Sequence, residues 1–158
     1  ALEDGQDHVA QSIEVTRASS EDADAVAILF DQYRQFYEQN SDVVLSKNYI
    51  NERISTDTSV IFVARVDDRP VGFTQLYSTY CSVDASTICV LYDLYVKQDA
   101  RRLGAGKALM NRALAHAKAS GASRIDLETE IDNVNAQQLY ESLGYIRDTE
   151  FYKYSLEV

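Results

Sequence analysis

The sequence predicts one α+β (mixed α/β) domain in which helices pack on a sheet of mainly antiparallel strands. The first observation is the alternation of helical periodicity with short apolar runs along the chain after residue 12. The second is a series of three strands joined by short turns in the middle of the chain, which is typical of an antiparallel meander. The third is size, because 158 residues amount to one domain that can bury a substantial core.

Each element is predicted from its local pattern. Ile13–Arg17 alternates apolar and polar residues, as a half-buried strand does, and Val26, Leu29, Phe30 and Tyr33 recur at helical spacing. The elements predicted in chain order are a strand over 13–17, a helix to about residue 38, a shorter helix over 45–56, strands over 60–66, 71–80 and 87–96, a helix over 104–120, a strand over 124–128, a helix opening at 135, and short strands over 145–147 and 151–156.

Composition limits the classes of partner. The net charge of −10 disfavours a general nucleic-acid binder, which needs clustered Lys and Arg, and it favours cationic partners such as amines. No apolar run approaches the roughly 20 residues of a membrane span. Residues 1–12 have neither the basic flank nor the apolar centre of a signal peptide, so we expect a disordered tail or an expression remnant there, and a cytoplasmic protein.

Cysteine and histidine are too scarce for a metal site. Cys81 and Cys89 would face each other if residues 71–96 form a hairpin that turns near Asp84, but two reduced buried thiols are the simpler interpretation. His8 and His116 add no familiar ligand spacing. We therefore expect no metal.

A short segment after the third central strand is strongly basic. Residues 97–107 hold four basic side chains and one acid, a local charge of +3 in a chain of −10. Gly104 and Gly106 stand where the next helix begins, and glycine lets backbone N–H groups approach an anion closely. The segment predicts a site for a multiply charged anion such as a pyrophosphate.

Other interpretations of the basic segment stay open at this point. Lys97 and the basic residues after it could form an ordinary solvated surface. The Walker sequence is absent, and the dinucleotide fingerprint lacks its third glycine and a preceding βαβ unit. A dinucleotide-dependent oxidoreductase would also need a ribose-binding acid about 20 residues further on, where Glu128 stands.

Two motifs identify a resemblance. Arg101-Arg-Leu-Gly-Ala-Gly106 fits the Q/R-x-x-G-x-G/A signature of the GNAT superfamily of N-acetyltransferases. Asn135-Ala-Gln-Gln-Leu-Tyr-Glu-Ser-Leu-Gly-Tyr145 resembles the family's second block, N-x-x-A-x-x-L-Y-E-x-L-G-F/Y, with either Asn133 or Asn135 as its leading Asn. The resemblance covers the chain from about residue 13 to 156. Residues 91–130 are also similar to small microbial amine, amino-acid and histone-type acetyltransferases.

The resemblance implies a fold and a cofactor site. The fold would be one N-acetyltransferase domain over 13–158, with a central, mostly antiparallel mixed sheet and helices on both faces. The co-substrate would be acetyl-CoA, with no metal. Its pantetheine arm would pair with the strand backbone, its pyrophosphate would lie on the amides of the basic loop, and Asn135 and Tyr140 would lie near its thiol end. The cofactor-binding residues expected on this basis are Leu94, Tyr95, Val96, Arg101, Arg102, Leu103, Gly104, Ala105, Gly106, Lys107, Asn135 and Tyr140.

Gln98 and Arg102 depart from the usual Pro and Gly of the pattern, and neither change removes a catalytic group.

The catalytic residues expected are Tyr140, Asp93 and Glu128. An alkyl amine has a pKa of about 10.4, so removing its proton at pH 7 costs roughly 4.6 kcal/mol. Asp93, at the end of a strand, is the first candidate for the base and Glu128 is the second; a chain of waters without one essential base is the alternative. Tyr140 would protonate the leaving thiolate, although its place on the apolar helix stripe also suits a packing role.

The acceptor amine is not readable from the sequence. Tyr33, Tyr37 and Tyr80 could line an aromatic pocket for a small-molecule or peptide amine, or could pack in the core. Phe151–Tyr154 could pair with a second copy in a homodimer or form an ordinary last strand. The rival function is an acyl-CoA sensor on the same scaffold, which would not need Tyr140 or Asp93.

Overall fold

The computed structural model describes residues 12–158. The prediction of a disordered tail therefore falls mostly on residues outside the described ones. The helices and strands, in chain order, are β1 (Ile13–Arg17), α1 (Ala23–Phe36), α2 (Val43–Ser55), β2 (Val60–Val66), β3 (Arg69–Cys81), β4 (Ser86–Val96), α3 (Ala105–Ala119), β5 (Ile125–Leu127) and α4 (Val134–Ser142). Short 3₁₀ turns over Ser20–Asp22 and Gln98–Leu103 precede α1 and α3.

The five strands form one mixed sheet in the order β1-β2-β3-β4-β5. The first three pairings are antiparallel and the β4–β5 pairing is parallel. This confirms the expected mostly antiparallel mixed sheet. The meander arises because β2, β3 and β4 follow one another along the chain and are joined by tight turns.

Helices cover both faces of the sheet, as expected. Val63 and Phe73 belong to the core cluster that α1 and α2 cover, and the Phe30 ring of α1 lies edge-on to Phe73 at 6.3 Å between centroids. Phe62, the neighbour of Val63, points to the opposite face, where Arg112 of α3 stacks on its ring at 4.6 Å. The alternation of side chains along β2 thus separates two buried layers.

Gly72 allows the α3 face to pack closely. A Cβ atom at this position would lie 2.7 Å from the main-chain oxygen of Tyr95 and 3.3 Å from the Leu109 side chain. Leu109 is fully buried on α3. Any side chain at Gly72 would therefore push on the part of β4 that leads to the basic loop.

Residues 128–158 form a compact unit of their own. The helix there does not open at Asn135 as predicted, because Asn133 is its N-cap and the Asn133 Oδ1 accepts a hydrogen bond from Ala136 N at 3.3 Å. Asn135 lies inside the first turn. The helix ends in a Schellman motif, in which Tyr145 N donates to Tyr140 O at 3.0 Å and Gly144 adopts a positive φ of 94°. The prediction that 13–158 is one domain stays a prediction.

The two strands predicted over 145–147 and 151–156 are wrong. None of these residues lies in a helix or strand, and Phe151 and Tyr154 are 81% and 88% exposed. Alternating apolar residues favour a strand, but a stable strand also needs a second strand to pair with and a buried face. The structure supplies neither to this segment within residues 12–158.

A buried carboxylate fixes the connection between α1 and α2. Asp31 is 3% exposed, and its two oxygens accept hydrogen bonds from the Gln35 amide, the Ser41 hydroxyl, the Asp42 main-chain N–H and the Ser46 hydroxyl at 2.7–3.1 Å. Burial by itself would raise the pKa of Asp31, but the hydrogen bonds from Ser41, Asp42 and Ser46, together with the charge of Arg34, hold the pKa below its usual value. The ionised side chain therefore closes the loop that begins α2.

Asp31→Asn should reduce the free energy of unfolding by roughly 2–3 kcal/mol, because an amide NH₂ would face donors that need an acceptor. Since the pKa of Asp31 is lowered in the fold, this stabilisation should be present above the ordinary carboxyl pKa and disappear as the pH falls through the lowered value. Denaturant titrations from pH 7 down to pH 3 measure both effects. Asp24→Asn, on the exposed side of α1, is the control and should change stability by under about 1 kcal/mol. Equal losses in the two variants would contradict the assignment.

Candidate active site

One extra residue interrupts the pairing of the two central strands. Gln75 of β3 lies opposite Asp93 of β4, whereas Leu76 lies opposite Leu91, so Tyr92 is the additional residue of a β-bulge. A bulge bends its strand and re-aims the side chains beside it, and bulges are frequent next to active sites.

The bulge coincides with the end of the parallel pairing. The ladder between β4 and β5 stops at the pair Leu91–Leu127. Within residues 12–158, no strand pairs with the other edge of residues 92–96. Such an edge can pair with an extended ligand, which is the role predicted for Leu94, Tyr95 and Val96.

The basic loop closes on the start of α3. Gly104 has φ 86° and ψ 15°, in the left-handed region, and caps the helix. The first intrahelical hydrogen bond runs from Ala108 N to Gly104 O, so the N–H groups of Ala105, Gly106 and Lys107 are outside the helical ladder. Amides at a helix start, together with the helix dipole, favour an anion. The structure thus brings the predicted loop residues together at one helix end.

The basic side chains of the loop are available to a ligand. Arg102 and Lys107 are exposed, and no salt bridge joins Lys97, Arg101, Arg102 or Lys107 to another residue of the described part of the chain. Arg101 is held in place, because its Nε donates to Val96 O at 2.9 Å and its guanidinium lies 5.7 Å from the centre of the Phe36 ring. These residues fit a pyrophosphate.

Asp93 is the buried carboxylate of the site, with 9% of its surface exposed. The Gln75 Nε2 donates to Asp93 Oδ2 at 2.7 Å, and the Tyr33 hydroxyl of α1 also bonds to the carboxyl group. Burial raises the pKa of Asp93 above its usual value, and the hydrogen bonds from Gln75 and Tyr33 offset only part of the rise. Asp93 is consequently a stronger base than a solvated carboxylate.

Tyrosines surround Asp93 on the α1 and α2 side of the sheet. The Tyr33 hydroxyl lies 3.4 Å from the main-chain oxygen of Tyr92, and the Tyr77 and Tyr92 rings meet edge to face at 5.4 Å. The hydroxyls of Tyr49 and Tyr77 are 2.7 Å apart. Burial, and next the hydrogen bond with Tyr49, raise the pKa of Tyr77, so it stays a neutral phenol. The cluster offers apolar ring faces and hydroxyl groups beside one buried carboxylate.

The remaining predicted residues belong to the unit formed by residues 128–158. Tyr140 on α4 is 9% exposed, and its ring lies 6.0 Å from that of Tyr145. Asn135 is exposed on the first turn of α4. Glu128 is also exposed, and its Oε2 pairs with Lys153 Nζ at 2.5 Å.

The sequence identified some members of the tyrosine cluster and missed others. Tyr33 lies at Asp93 and Tyr37 packs edge-on against Tyr33 at 5.0 Å, but Tyr80 is 80% exposed toward the far end of β3. Gln75 and Ser59 were missed, although a polar residue inside the buried stretch of β3 is a signal that could have singled out Gln75. Cys81 and Cys89 are both free, with Cys89 buried and Cys81 half-buried.

Within residues 12–158, no three His, Cys, Asp or Glu side chains cluster in a way that would hold a metal ion. No helix in that part of the chain has the length and apolar character needed to cross a membrane.

Known proteins match the chain over most of its length. The model of the acetyltransferase (GNAT) family matches residues 24–145. The uncharacterized N-acetyltransferase YhfO of Bacillus subtilis is 42% identical over 144 residues, which are 91% of this chain and 97% of that protein. A crystal structure of a probable acetyltransferase has a TM-score of 0.86 at 35% identity and covers 92% of this chain and 97% of its own. An aminoglycoside N-acetyltransferase solved with CoA has a TM-score of 0.80 at 16% identity, covers 94% and 97% of the two chains, and shows the fold alone.

The mixed sheet, its bulged strand and the basic helix start, taken with these matches, define an acetyltransferase. The chain belongs to the acetyltransferase (GNAT) family. It is an acetyl-CoA-dependent enzyme, which confirms the resemblance carried by the segments at 101–106 and 135–145.

Gly104→Asp should weaken CoA binding at least tenfold more than Gly104→Asn does. Both residues tolerate a positive φ better than other side chains. Among residues 12–158, a Cβ at Gly104 would have only Ile13 Cδ1 within 4 Å, at 3.9 Å, so the two variants differ chiefly in charge. A carboxylate at the helix start would repel a pyrophosphate by more than the 1.4 kcal/mol that a factor of ten in Kd represents. Calorimetric titration with CoA measures both variants. Equal Kd values would show that the anion does not lie here.

Proposed function

We propose that this protein transfers the acetyl group of acetyl-CoA to a primary amine by direct attack within a ternary complex. The observation that carries the proposal is the buried Asp93 carboxylate beside the bulge, on the stretch of β4 whose open edge leads to the basic helix start. An arriving ammonium would thus meet a proton acceptor next to the backbone expected to bind the thioester arm. Proximity of two substrates in one cleft supplies a large part of the acceleration of such reactions.

The residues of the loop and strand bind the co-substrate in this proposal. The amides and basic side chains from Arg101 to Lys107 hold the pyrophosphate, the backbone of Leu94–Val96 holds the pantetheine arm, and Asn135 steadies the thiol end. When bound, acetyl-CoA supplies an activated acetyl thioester. The support is the left-handed Gly104, the basic side chains without ion pairs in the described chain, and the open edge of β4.

Asp93 accepts the proton of the amine in the proposed mechanism. Its raised pKa makes it a better match to an ammonium than an exposed carboxylate, and this partly offsets the roughly 4.6 kcal/mol needed to deprotonate an alkyl amine at pH 7. Glu128, the second candidate, is exposed and paired with Lys153, which suits a surface ion pair better than a base. Tyr140 Oη donates a proton to the departing thiolate.

Acceptors are proposed to be small-molecule or peptide amines. The net charge of −10 attracts cations, and the tyrosines around Asp93 provide ring faces for the acceptor's carbon skeleton. A turnover assay with acetyl-CoA and a panel of polyamines, amino acids, aminoglycosides and basic peptides tests the proposal, with release of CoA thiol as the readout. Tight CoA binding without turnover on any amine would instead support the acyl-CoA sensor.

Assembly and location are part of the proposal. Phe151, Tyr152 and Tyr154 are each more than 80% exposed, which supports a homodimer formed through this segment. Light scattering that gives a monomer at micromolar concentration would rule the dimer out. The acidic charge and the free thiols of Cys81 and Cys89 support a cytoplasmic protein that binds neither nucleic acid nor membranes.

Asp93→Asn should lower kcat by about 10²–10⁴, the usual contribution of a general base. The same variant should be more stable than the wild type at pH 7, because it removes a buried charge whose pKa is raised in the fold. The stability difference should shrink as the pH falls through that raised pKa, since the wild-type carboxyl then takes up its proton in the folded state. Steady-state kinetics and denaturant titrations measure the two effects. Loss of activity in Glu128→Gln with full activity in Asp93→Asn would assign the base to Glu128.

Tyr140→Phe should lower kcat by roughly 10²–10⁴ and leave the Kd of acetyl-CoA nearly unchanged, because only the proton donor of the transition state is lost. The ring and its packing survive the change. Tyr145→Phe, which removes the hydroxyl of the neighbouring ring, is the matched control and should keep kcat near normal. A Tyr140→Phe enzyme with normal kcat and unchanged thermal stability would show Tyr140 to be a packing residue only.

A further inference from the structure

A line of buried hydrogen bonds reaches Asp93 from the side of β3. The Ser59 hydroxyl donates to Gln75 Oε1 at 2.7 Å, and the Gln75 Nε2 donates to Asp93 Oδ2 at 2.7 Å. Gln75 is fully buried, and Ser59 and Asp93 are each 9% exposed. Gln75 and Asp93 are also the directly opposed pair next to the bulge, so the register of the two strands fixes their distance.

A buried amide at this position needs a reason beyond packing. Phe73, two residues earlier on the same face of β3, is apolar and equally buried, so an apolar side chain would fit the layer. Burying an amide costs free energy unless both of its polar ends are hydrogen-bonded. Both ends of Gln75 are bonded, one to Ser59 and one to the carboxyl group of Asp93.

The amide has one favourable orientation. If the amide flipped, Oε1 would face the Asp93 carboxylate, and two acceptors would meet without a proton between them. In the observed orientation the Ser59 hydroxyl donates to Oε1, so it satisfies the far end of the amide and holds the side chain in place. Asp93 is therefore presented with an N–H donor, which stabilises its ionised form and fixes the plane of the carboxylate.

The other groups that face Asp93 do not replace this donor. Tyr33 reaches the carboxyl group from α1, but it belongs to a helix rather than to the paired strand. Tyr77 of β3 is a neutral phenol whose hydroxyl is engaged with Tyr49 of α2. Arg53 of α2 stacks on the Tyr49 ring at 5.2 Å and is near enough to Tyr77 to affect it electrostatically.

We propose that Gln75 is a positioning residue for acetyl transfer, whose amide, held in place by Ser59, aligns the Asp93 carboxylate and keeps it able to accept the proton of the amine. The proposal rests on the role of Asp93 proposed for the reaction. It assigns Gln75 an action through Asp93 and no contact with either substrate.

Gln75→Leu tests the proposal, because leucine fills a similar volume without a donor. The low-pH limb of the kcat/KM profile should move to higher pH by about one unit, so that activity on that limb falls roughly tenfold, while the KM for acetyl-CoA stays within about twofold. Thr74→Val is the matched control. The buried Thr74 hydroxyl donates to the main-chain oxygen of Asp93 at 2.8 Å, so its removal should reduce stability without moving the limb.

Ser59 provides a second, gentler pair of variants if Gln75→Leu does not fold. Ser59→Ala removes the hydroxyl that holds the amide in place and should move the limb in the same direction by a smaller amount. Ser59→Thr keeps the hydroxyl and should restore the wild-type profile.

The outcomes separate the two proposals. Suppose that Asp93→Asn is inactive, but the low-pH limb of the kcat/KM profile does not move in Gln75→Leu, or is the same in Ser59→Ala and Ser59→Thr. The positioning role of Gln75 is then overturned, and the base role of Asp93 stands. If Asp93→Asn keeps full activity and an unchanged profile, the base role fails and the positioning role fails with it.

Discussion

The extra residue at Tyr92 determines how the two ends of the site are arranged. On the β3 side of β4 the ladder continues past the bulge, so Asp93 keeps a buried partner in Gln75. On the β5 side the ladder stops at Leu91, so the following backbone has an open edge within residues 12–158. One irregularity of a single residue therefore gives β4 a closed side that holds a carboxylate and an open side that can accept a ligand.

The charge of the basic loop is opposite in sign to the net charge of the chain. The chain as a whole carries −10, which suits a cationic acceptor, whereas the loop over 97–107 is locally positive and suits a pyrophosphate. The basic loop begins where β4 ends, only a few residues from Asp93. Two substrates of opposite charge can thus approach one strand without competing for the same side chains. Salt should screen the exposed loop more than the buried carboxylate.

Local signals in the sequence predicted the parts of the fold that depend on local physics. The helices follow from their periodicity, and the helix start at Gly104 follows from a glycine that the structure places at φ 86°. The sequence has no comparable local signal for which residues face each other across two strands. That depends on the register of the ladder, and a shift of one residue would place Gln75 on the other face of the sheet. The same limit explains the wrong strands after Gly144, where the alternating pattern is present but no strand of residues 12–158 pairs with it. The cap of α4 fell on Asn133 instead of Asn135 because two asparagines two residues apart offer almost the same local signal.

The two buried aspartates show how one residue type can serve structure or chemistry. Asp31 and Asp93 are 3% and 9% exposed, respectively. In each case burial, taken alone, raises the pKa of the carboxyl group. Asp31 has four donors around its two oxygens, which more than offset the cost of burial, so it remains ionised and holds a loop. Among residues 12–158, the carboxyl group of Asp93 accepts hydrogen bonds from Gln75 and Tyr33 alone, so the cost of burial prevails and its proton affinity stays high. If Asp93 were satisfied as fully as Asp31, the protein would gain stability but the carboxylate would lose the proton affinity on which its proposed role as a base depends.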